Sequence, residues 1–138
     1  MNILVNGVWD LLHIGHLNIL KRAKRLGGTL IVGVNTDDWI SSYKKHGTIL
    51  PYEERWQLVL ALEYVDKAVP HHAMDETEIF EKYKIDVLVV GSDWGKFPKQ
   101  EKIRQYLGKT GRKLIVFPYT KGISTTEIIE RIQGENND

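Results

Sequence analysis

Five apolar, often β-branched runs recur along the 138-residue chain, and they constrain its fold more than any other feature. Continuous apolar character is typical of strands buried on both faces. The runs occupy residues 3–5, 30–34, 87–90 and 114–117, with a weaker one around residues 68–69. Between them, apolar residues recur at helical spacing over residues 16–26, 52–64, 76–83, 99–107 and 125–132. Strands that alternate with helices predict an α/β fold, with a parallel sheet and helices on both faces.

The length fits one domain, which we place at residues 1–133, with residues 134–138 as a polar tail. A formal net charge of +1 gives no reason to expect nucleic acid or an anionic membrane as a partner. The chain has no cysteine, which excludes disulfides, thiolate nucleophiles and cysteine zinc sites. Since the sequence also shows no leader and no apolar span, we expect a cytoplasmic protein.

In a parallel sheet, ligands bind outside the carboxyl ends of the strands. The loops that follow the predicted strands there, residues 7–13, 35–38, 91–98 and 118–124, hold nearly every chemically suggestive side chain. Residues 41–50 lack a clear period and include Lys44 and Lys45. We expect this segment to be a flap over a substrate.

The segment His13-Ile14-Gly15-His16 stands where the first strand passes into a helix. A helix start presents unpaired N–H groups and a positive dipole end, so two imidazoles beside it suit a phosphate. Gly15 would let a ligand approach the backbone. The alternative is a pair of polar loop histidines or a helix cap. A zinc site lacks a third ligand at a recognisable spacing, and Gly7 is not part of a G-x-G-x-x-G dinucleotide turn.

A second motif, Gly122-Ile123-Ser124-Thr125-Thr126, opens the last predicted helix. Ser124 and Glu127 have the spacing of a capping box. A hydroxyl-rich helix start can cap itself and still offer hydroxyls and N–H groups to a triphosphate.

The segment from Gly7 to His16 resembles the G-x-F-D-x-x-H-x-G-H signature of small nucleotidylyltransferases of the cytidylyltransferase type, with Trp9 in place of phenylalanine. The second motif resembles their G-I-S-T-T element, and Gly91-Ser92-Asp93-Trp94 falls between them in family order. The glycerol-3-phosphate cytidylyltransferase branch is the most similar. This resemblance implies a Rossmann-like domain, a homodimer, and transfer of a nucleotidyl group from CTP with Mg²⁺ to a small phosphorylated acceptor, releasing pyrophosphate.

The resemblance also implies residue roles. His13 and His16 would stabilise the transition state, with Lys44 as a further catalytic cation. Lys44, Lys45 and Arg55 would meet the acceptor. Asp10 would orient a histidine or help to hold Mg²⁺ through water. Asp93 and Trp94 would border the base, where a carboxylate accepts from an exocyclic amino group. The full set of expected nucleotide contacts is Gly7, Val8, Trp9, Asp10, Gly15, Gly91, Asp93, Trp94, Thr120, Gly122, Ile123, Ser124, Thr125 and Thr126.

Two positions depart from the glycerol-phosphate branch. Tyr119-Thr120-Lys121 stands where that branch carries R-T-E, and Glu63 stands where it carries an arginine. Both changes resemble the nucleotidyltransferase domain of the ADP-heptose pathway, so adenylyl or cytidylyl transfer to a sugar phosphate is the first alternative. The lost arginine leaves a second alternative open, a module that binds a nucleotide without turning it over.

Overall fold

The first apolar run forms the central strand of a parallel sheet. The structure is a computed structural model, which describes residues 1–38, 40, 47–72 and 77–136. For residues 135 and 136 it describes the backbone only. Lys44 and Lys45 lie outside the described residues, and so does most of the expected flap. The elements run in the order β1 (Asn2–Gly7), α1 (Ile14–Lys24), β2 (Thr29–Asn35), α2 (Tyr52–Leu60), β3 (Lys67–His71), α3 (Glu78–Lys82), β4 (Val87–Gly91), α4 (Pro98–Lys109), β5 (Lys113–Phe117) and α5 (Thr125–Asn136).

The five strands pair in the order β3-β2-β1-β4-β5, and every pair is parallel. The predicted single α/β domain with a parallel sheet is therefore confirmed. The chain winds outward from β1 to β3, then crosses to β4 and β5 on the other side of β1. The carboxyl ends of β1 and β4 thus flank the point where the strand order reverses, which is where open α/β sheets bind ligands.

Hydrophobic clusters cover both faces of the sheet. Ile3 and Val5 of β1 pack with the residues of α1 and α2, whereas Leu4 packs on the opposite face with Phe80 of α3 and Leu107 of α4. This two-sided burial is the reason that β1, β2 and β4 read as continuous apolar runs. Strand β5 differs from the expectation: Val116 is 52% exposed, because β5 lies at the edge of the sheet.

The helices begin and end a few residues away from the bounds that the apolar periodicity predicts. Helix α1 begins at Ile14 rather than residue 16, because the His13 side chain caps it. Helix α2 starts directly after Pro51, as expected, but ends at Leu60 where residues 61–64 turn. Helix α5 continues to Asn136, so the backbone of the expected polar tail is helical at residues 134–136.

Candidate active site

A cavity of about 860 Å³ opens at the carboxyl ends of β1 and β4, at the point of strand reversal. The cavity is lined by His13, His16 and all the residues expected to contact the nucleotide, with the exception of Gly122. Gly122 instead occupies the turn before α5 with a positive φ of 76°, a conformation that favours glycine. The tertiary structure thus brings two motifs more than 100 residues apart into one cavity.

His13 directly precedes α1 and His16 is its third residue, and both side chains cap the start of this helix. The Gly15 N–H donates to His13 Nδ1 over 3.0 Å, and the His13 N–H donates to His16 Nδ1 over 3.2 Å. The helix-cap alternative is therefore correct, but it accounts for only one nitrogen of each ring. A ring nitrogen that accepts a hydrogen bond carries no proton, so each neutral imidazole bears its proton on Nε2. Capping by Nδ1 leaves each Nε2–H available as a donor.

The environment keeps both imidazoles neutral. Burial lowers the pKa of His16 to about 4, and the neighbouring His13 adds to this, while Asp10 acts in the opposite direction. Burial also lowers the pKa of His13, partly opposed by the charge of Glu127. The two rings stack with centroids 3.9 Å apart, and two positively charged rings at this distance would repel each other. Near neutral pH, the pair is two fixed, uncharged N–H donors.

The loop between β1 and α1 is held in an uncommon backbone conformation. Trp9 and Leu11 have positive φ values of 59° and 49°, which bulky residues seldom adopt. The buried Trp9 ring compensates, because its Nε1–H donates to the Gly33 carbonyl over 2.9 Å and its ring lies against Gly7. A Cβ on Gly7 would stand only 2.8 Å from that ring. Trp9 thus serves to shape the loop that carries the histidines.

Asp10 is buried and joins this loop to the segment before α2. Its two carboxylate oxygens accept the Ile49 and Leu50 N–H groups over 2.8 and 3.0 Å. Its carbonyl accepts the Thr125 hydroxyl over 2.7 Å, a contact that ties the first motif directly to the second. Among the described residues, no three His, Asp or Glu side chains converge as a metal site.

The start of α5 forms the opposite wall. Ser124 Oγ accepts the Glu127 N–H over 3.1 Å, as half of the expected capping box. One carboxylate oxygen of Glu127, Oε2, is buried and has no hydrogen-bond partner in the described part of the chain. Its charge opposes the lowering of the His13 pKa, so Glu127 has an electrostatic effect beside its place in the cap, although it does not line the cavity. The capping pattern alone could not reveal that second role.

Another wall of the cavity includes Gly91, Asp93, Trp94 and Tyr119. Trp94 lines the cavity and also packs against the core cluster of α3 and α4. The same side chain can therefore belong to the core and border a ligand. The Tyr119 hydroxyl donates to Asp93 Oδ1. Sequence reasoning treated Tyr119 only as a missing arginine and did not place it in the site.

Arg55 lies elsewhere than expected. Its side chain is fully buried and does not line the cavity. The guanidinium donates to the carbonyls of Leu50 and Val8 over 3.0 and 2.6 Å and pairs with Asp37 over 2.7 Å. All three nitrogens are therefore engaged in holding loops together, and an acceptor phosphate would reach Arg55 only if these contacts were exchanged.

Two polar residues of the cavity were missed from the sequence. Asn18 of α1 donates to Thr120 Oγ1 over 2.8 Å, a contact across 102 positions that fixes the loop before α5. Asn6 of β1 lines the cavity, and its Oδ1 is buried without a donor among residues that the structure describes. Local patterns carry no signal for either residue, because both contacts depend on the chain fold.

Taken together, the cavity offers neutral N–H donors, the N-terminal ends of α1 and α5, and several hydroxyls. This combination suits the phosphates of a nucleotide.

Comparison with protein families agrees with this chemistry. The family model described as cytidylyltransferase-like matches residues 4–131. A glycerol-3-phosphate cytidylyltransferase of Staphylococcus aureus is 34% identical, over 97% of this chain and 96% of its own length. An FAD synthase of Thermococcus kodakarensis is 35% identical, over 96% and 91%.

Two further similarities extend the range of relatives. The bifunctional protein HldE of Nitrosococcus oceani is 35% identical over 95% of this chain, which corresponds to 28% of HldE. The crystal structure of a lipopolysaccharide core biosynthesis protein from Thermoplasma volcanium superimposes with a TM-score of 0.72 and 28% identity, covering 89% of this chain and 98% of that one.

The family match spans nearly the whole chain and includes both motifs that wall the cavity. None of the helices in the described ranges is long and apolar enough to cross a membrane. The nucleotidyltransferase names of the relatives favour an enzyme over a module that only binds. The chain belongs to the cytidylyltransferase-like family of nucleotidyltransferases.

Proposed function

We propose that this enzyme transfers CMP from CTP to a small phosphorylated alcohol, with glycerol 3-phosphate as the leading acceptor, and releases pyrophosphate. One observation carries the proposal: the histidine pair and the start of α5 face one cavity and are joined by the hydrogen bond from Thr125 to Asp10. The acceptor is inferred from two relatives, named glycerol-3-phosphate cytidylyltransferases, at 34% and 36% identity.

The mechanism is direct displacement at phosphorus. An oxygen of the acceptor phosphate attacks the α-phosphorus of CTP, the new P–O bond forms, and the bond to the bridging oxygen breaks as pyrophosphate leaves. The acceptor oxygen is already ionised near neutral pH, so no general base is needed. Catalysis then depends on positioning and on fixed donors for the developing negative charge.

The residues of the cavity fit these tasks. The Nε2–H groups of His13 and His16 donate to oxygens that gain charge in the transition state. The N–H groups and hydroxyls at residues 124–126 hold the triphosphate at the positive end of α5. Asp93 accepts from the exocyclic amino group of the base, and Trp94 borders it. Lys44 and Lys45 would meet the acceptor phosphate from the segment before α2.

We propose that Mg²⁺ enters as part of the nucleotide substrate. Mg²⁺ commonly keeps several waters and binds substrate phosphates with few protein carboxylates. The engagement of both Asp10 carboxylate oxygens by loop N–H groups agrees with a supporting role through water.

A second candidate is adenylyl or cytidylyl transfer to a sugar phosphate. Tyr119 and Glu63 favour it, since both replace arginines of the glycerol-phosphate branch. Relatives at similar identity, HldE and an FAD synthase, carry names outside that branch, so similarity alone does not single out glycerol 3-phosphate as the acceptor.

The test is pyrophosphate release with Mg²⁺, crossing CTP and ATP against glycerol 3-phosphate, phosphocholine, phosphoethanolamine and several sugar 1-phosphates. We expect turnover with CTP and glycerol 3-phosphate. Turnover only with ATP and a sugar phosphate would replace the first candidate by the second. Silence for every pair would contradict both.

The resemblance also leads us to propose a homodimer. Light scattering after size exclusion should then give twice the chain mass of 15.9 kDa. A single-chain mass at micromolar concentration would contradict it.

A further inference from the structure

Tyr119 occupies a defined position in the cavity wall. It follows β5, and its hydroxyl donates to Asp93, which follows the neighbouring strand β4. The next residue, Thr120, is held by Asn18 of α1 over 2.8 Å. The phenol is therefore held at its tip by Asp93, and the residue that follows it is anchored to α1.

The Tyr119 ring lies directly on Gly91. A Cβ on Gly91 would stand 2.7, 2.8 and 2.9 Å from the Cε1, Cζ and hydroxyl oxygen of Tyr119, closer than real Cβ contacts occur. Glycine at position 91 is thus a steric requirement for this ring position. Since Gly91 has an ordinary φ, close approach of the ring rather than backbone conformation explains the glycine.

The phenol is a permanent donor in this setting. Burial and the Asp93 carboxylate raise the pKa of the Tyr119 hydroxyl, so it stays protonated throughout the physiological range. A carboxylate has two oxygens, and the Tyr119 contact uses Oδ1. The other oxygen can then accept a second hydrogen bond.

We propose that Tyr119 is a positioning residue for base selection: its hydroxyl orients the Asp93 carboxylate to accept a hydrogen bond from an exocyclic amino group. Tyr119 thereby selects nucleotides whose base carries an amino group over those with a carbonyl at the same ring position. This inference rests on the proposed function, in which Asp93 faces the base.

The test uses two pairs of nucleotides that differ in this one group, CTP against UTP and ATP against ITP. We would measure kcat/KM for each by pyrophosphate release in the wild type and in Tyr119→Phe, which keeps the ring and removes the hydroxyl. The preference for the amino base should fall at least tenfold in the variant, chiefly through a higher KM. A ratio within twofold of the wild type would overturn the inference.

Two further variants make the result specific. Tyr106→Phe is the matched control, because the Tyr106 hydroxyl also donates to a carboxylate, Glu81, but on α3 and far from the cavity lining. It should leave the nucleotide preference unchanged. Asp93→Asn places an N–H donor at the same point, so it should shift the preference toward UTP and ITP.

Calorimetric binding of CTP and UTP separates this inference from the proposed function. If the wild type shows no turnover but binds CTP in preference to UTP, and Tyr119→Phe loses that preference, the selection role stands while the proposed reaction fails. If the wild type turns over CTP and UTP equally, or binds them equally, the selection role is overturned whatever the reaction.

Discussion

The two ends of the sheet carry polar clusters of opposite kinds. At the amino end, the lining of a cavity of about 440 Å³ includes the charged residues Glu81, Asp86 and Arg112, each of which has a hydrogen-bond or ion-pair partner. Arg112 donates to the Ile85 carbonyl over 2.7 Å and pairs with Glu81 over 3.4 Å, while Asp86 accepts the Asn2 N–H over 2.7 Å. At the carboxyl end, the polar groups satisfy their neighbours only in part.

The carboxyl end keeps unused hydrogen-bonding capacity. The imidazoles use Nδ1 and leave Nε2, and the buried oxygens Asn6 Oδ1 and Glu127 Oε2 have no partner within the described ranges. Burying an unpaired polar atom costs about 1–3 kcal/mol, so a fold retains one where a ligand completes it or where strain is tolerated. The two ends of the sheet thus differ in the completeness of their polar networks as well as in cavity volume, and the incomplete network lies at the larger cavity.

The largest effect should come from removing one imidazole donor. His13→Asn keeps an acceptor for the helix cap, since asparagine is a favoured N-cap residue, but removes the Nε2–H. We expect kcat to fall roughly a hundred- to a thousand-fold in steady-state assays. The melting temperature should change little, whereas His13→Ala should also lose about 1 kcal/mol of stability with the cap. Wild-type turnover in His13→Asn would remove the histidine from the mechanism.

Arg55→Lys tests whether the buried guanidinium is structural. Lysine cannot reproduce three separate contacts with Leu50, Val8 and Asp37. The free energy of unfolding should fall on the order of 3 kcal/mol, measured by urea denaturation. Because Asp37 loses its partner in Arg55→Lys, adding Asp37→Asn to that variant should lower the free energy of unfolding only slightly further. Full stability together with a raised KM for the acceptor would instead support the role expected from the sequence.

The depressed pKa of His16 makes stability depend on pH. The unfolded histidine binds a proton below its ordinary pKa of 6.5, whereas the folded one resists protonation down to about 4. Stability should therefore decline as pH falls from 6.5 toward 4, on the order of 2 kcal/mol by pH 5. Urea melts of the wild type and His16→Asn at pH 7 and pH 5 would measure this. An equal acid loss in both proteins would refute the assignment to His16.

The smallest effect belongs to the amino end. Arg112→Met keeps the apolar stem and removes the contacts with Ile85 and Glu81. We expect a loss of about 1–2 kcal/mol in unfolding free energy and no change in kcat or KM. A drop in turnover would break the distinction between the two ends of the sheet.

Sequence reasoning was most successful where the signal was local. The apolar runs predicted every strand of the sheet, and the spacing of Ser124 and Glu127 predicted a cap that the structure contains. It was less successful with residues that act across the fold. Arg55 was expected at the acceptor from the family resemblance, and neither that resemblance nor helix periodicity shows that its guanidinium donates to loop carbonyls.

By itself, the sequence determined the alternation of strands and helices, the two motifs that line the cavity, and the family. Each of these depends on periodicity or on short spacings, which local chain geometry converts directly into structure. Only the tertiary structure decided that Nδ1 of each histidine is used in a cap, that Arg55 is buried, and that Tyr119 meets Asp93. The Arg55–Val8 and Tyr119–Asp93 contacts join residues 47 and 26 positions apart, and the order of strands in the sheet, which no local pattern encodes, sets which segments meet. The histidine caps join residues only two and three positions apart, but the sequence pattern does not show which ring nitrogen they use.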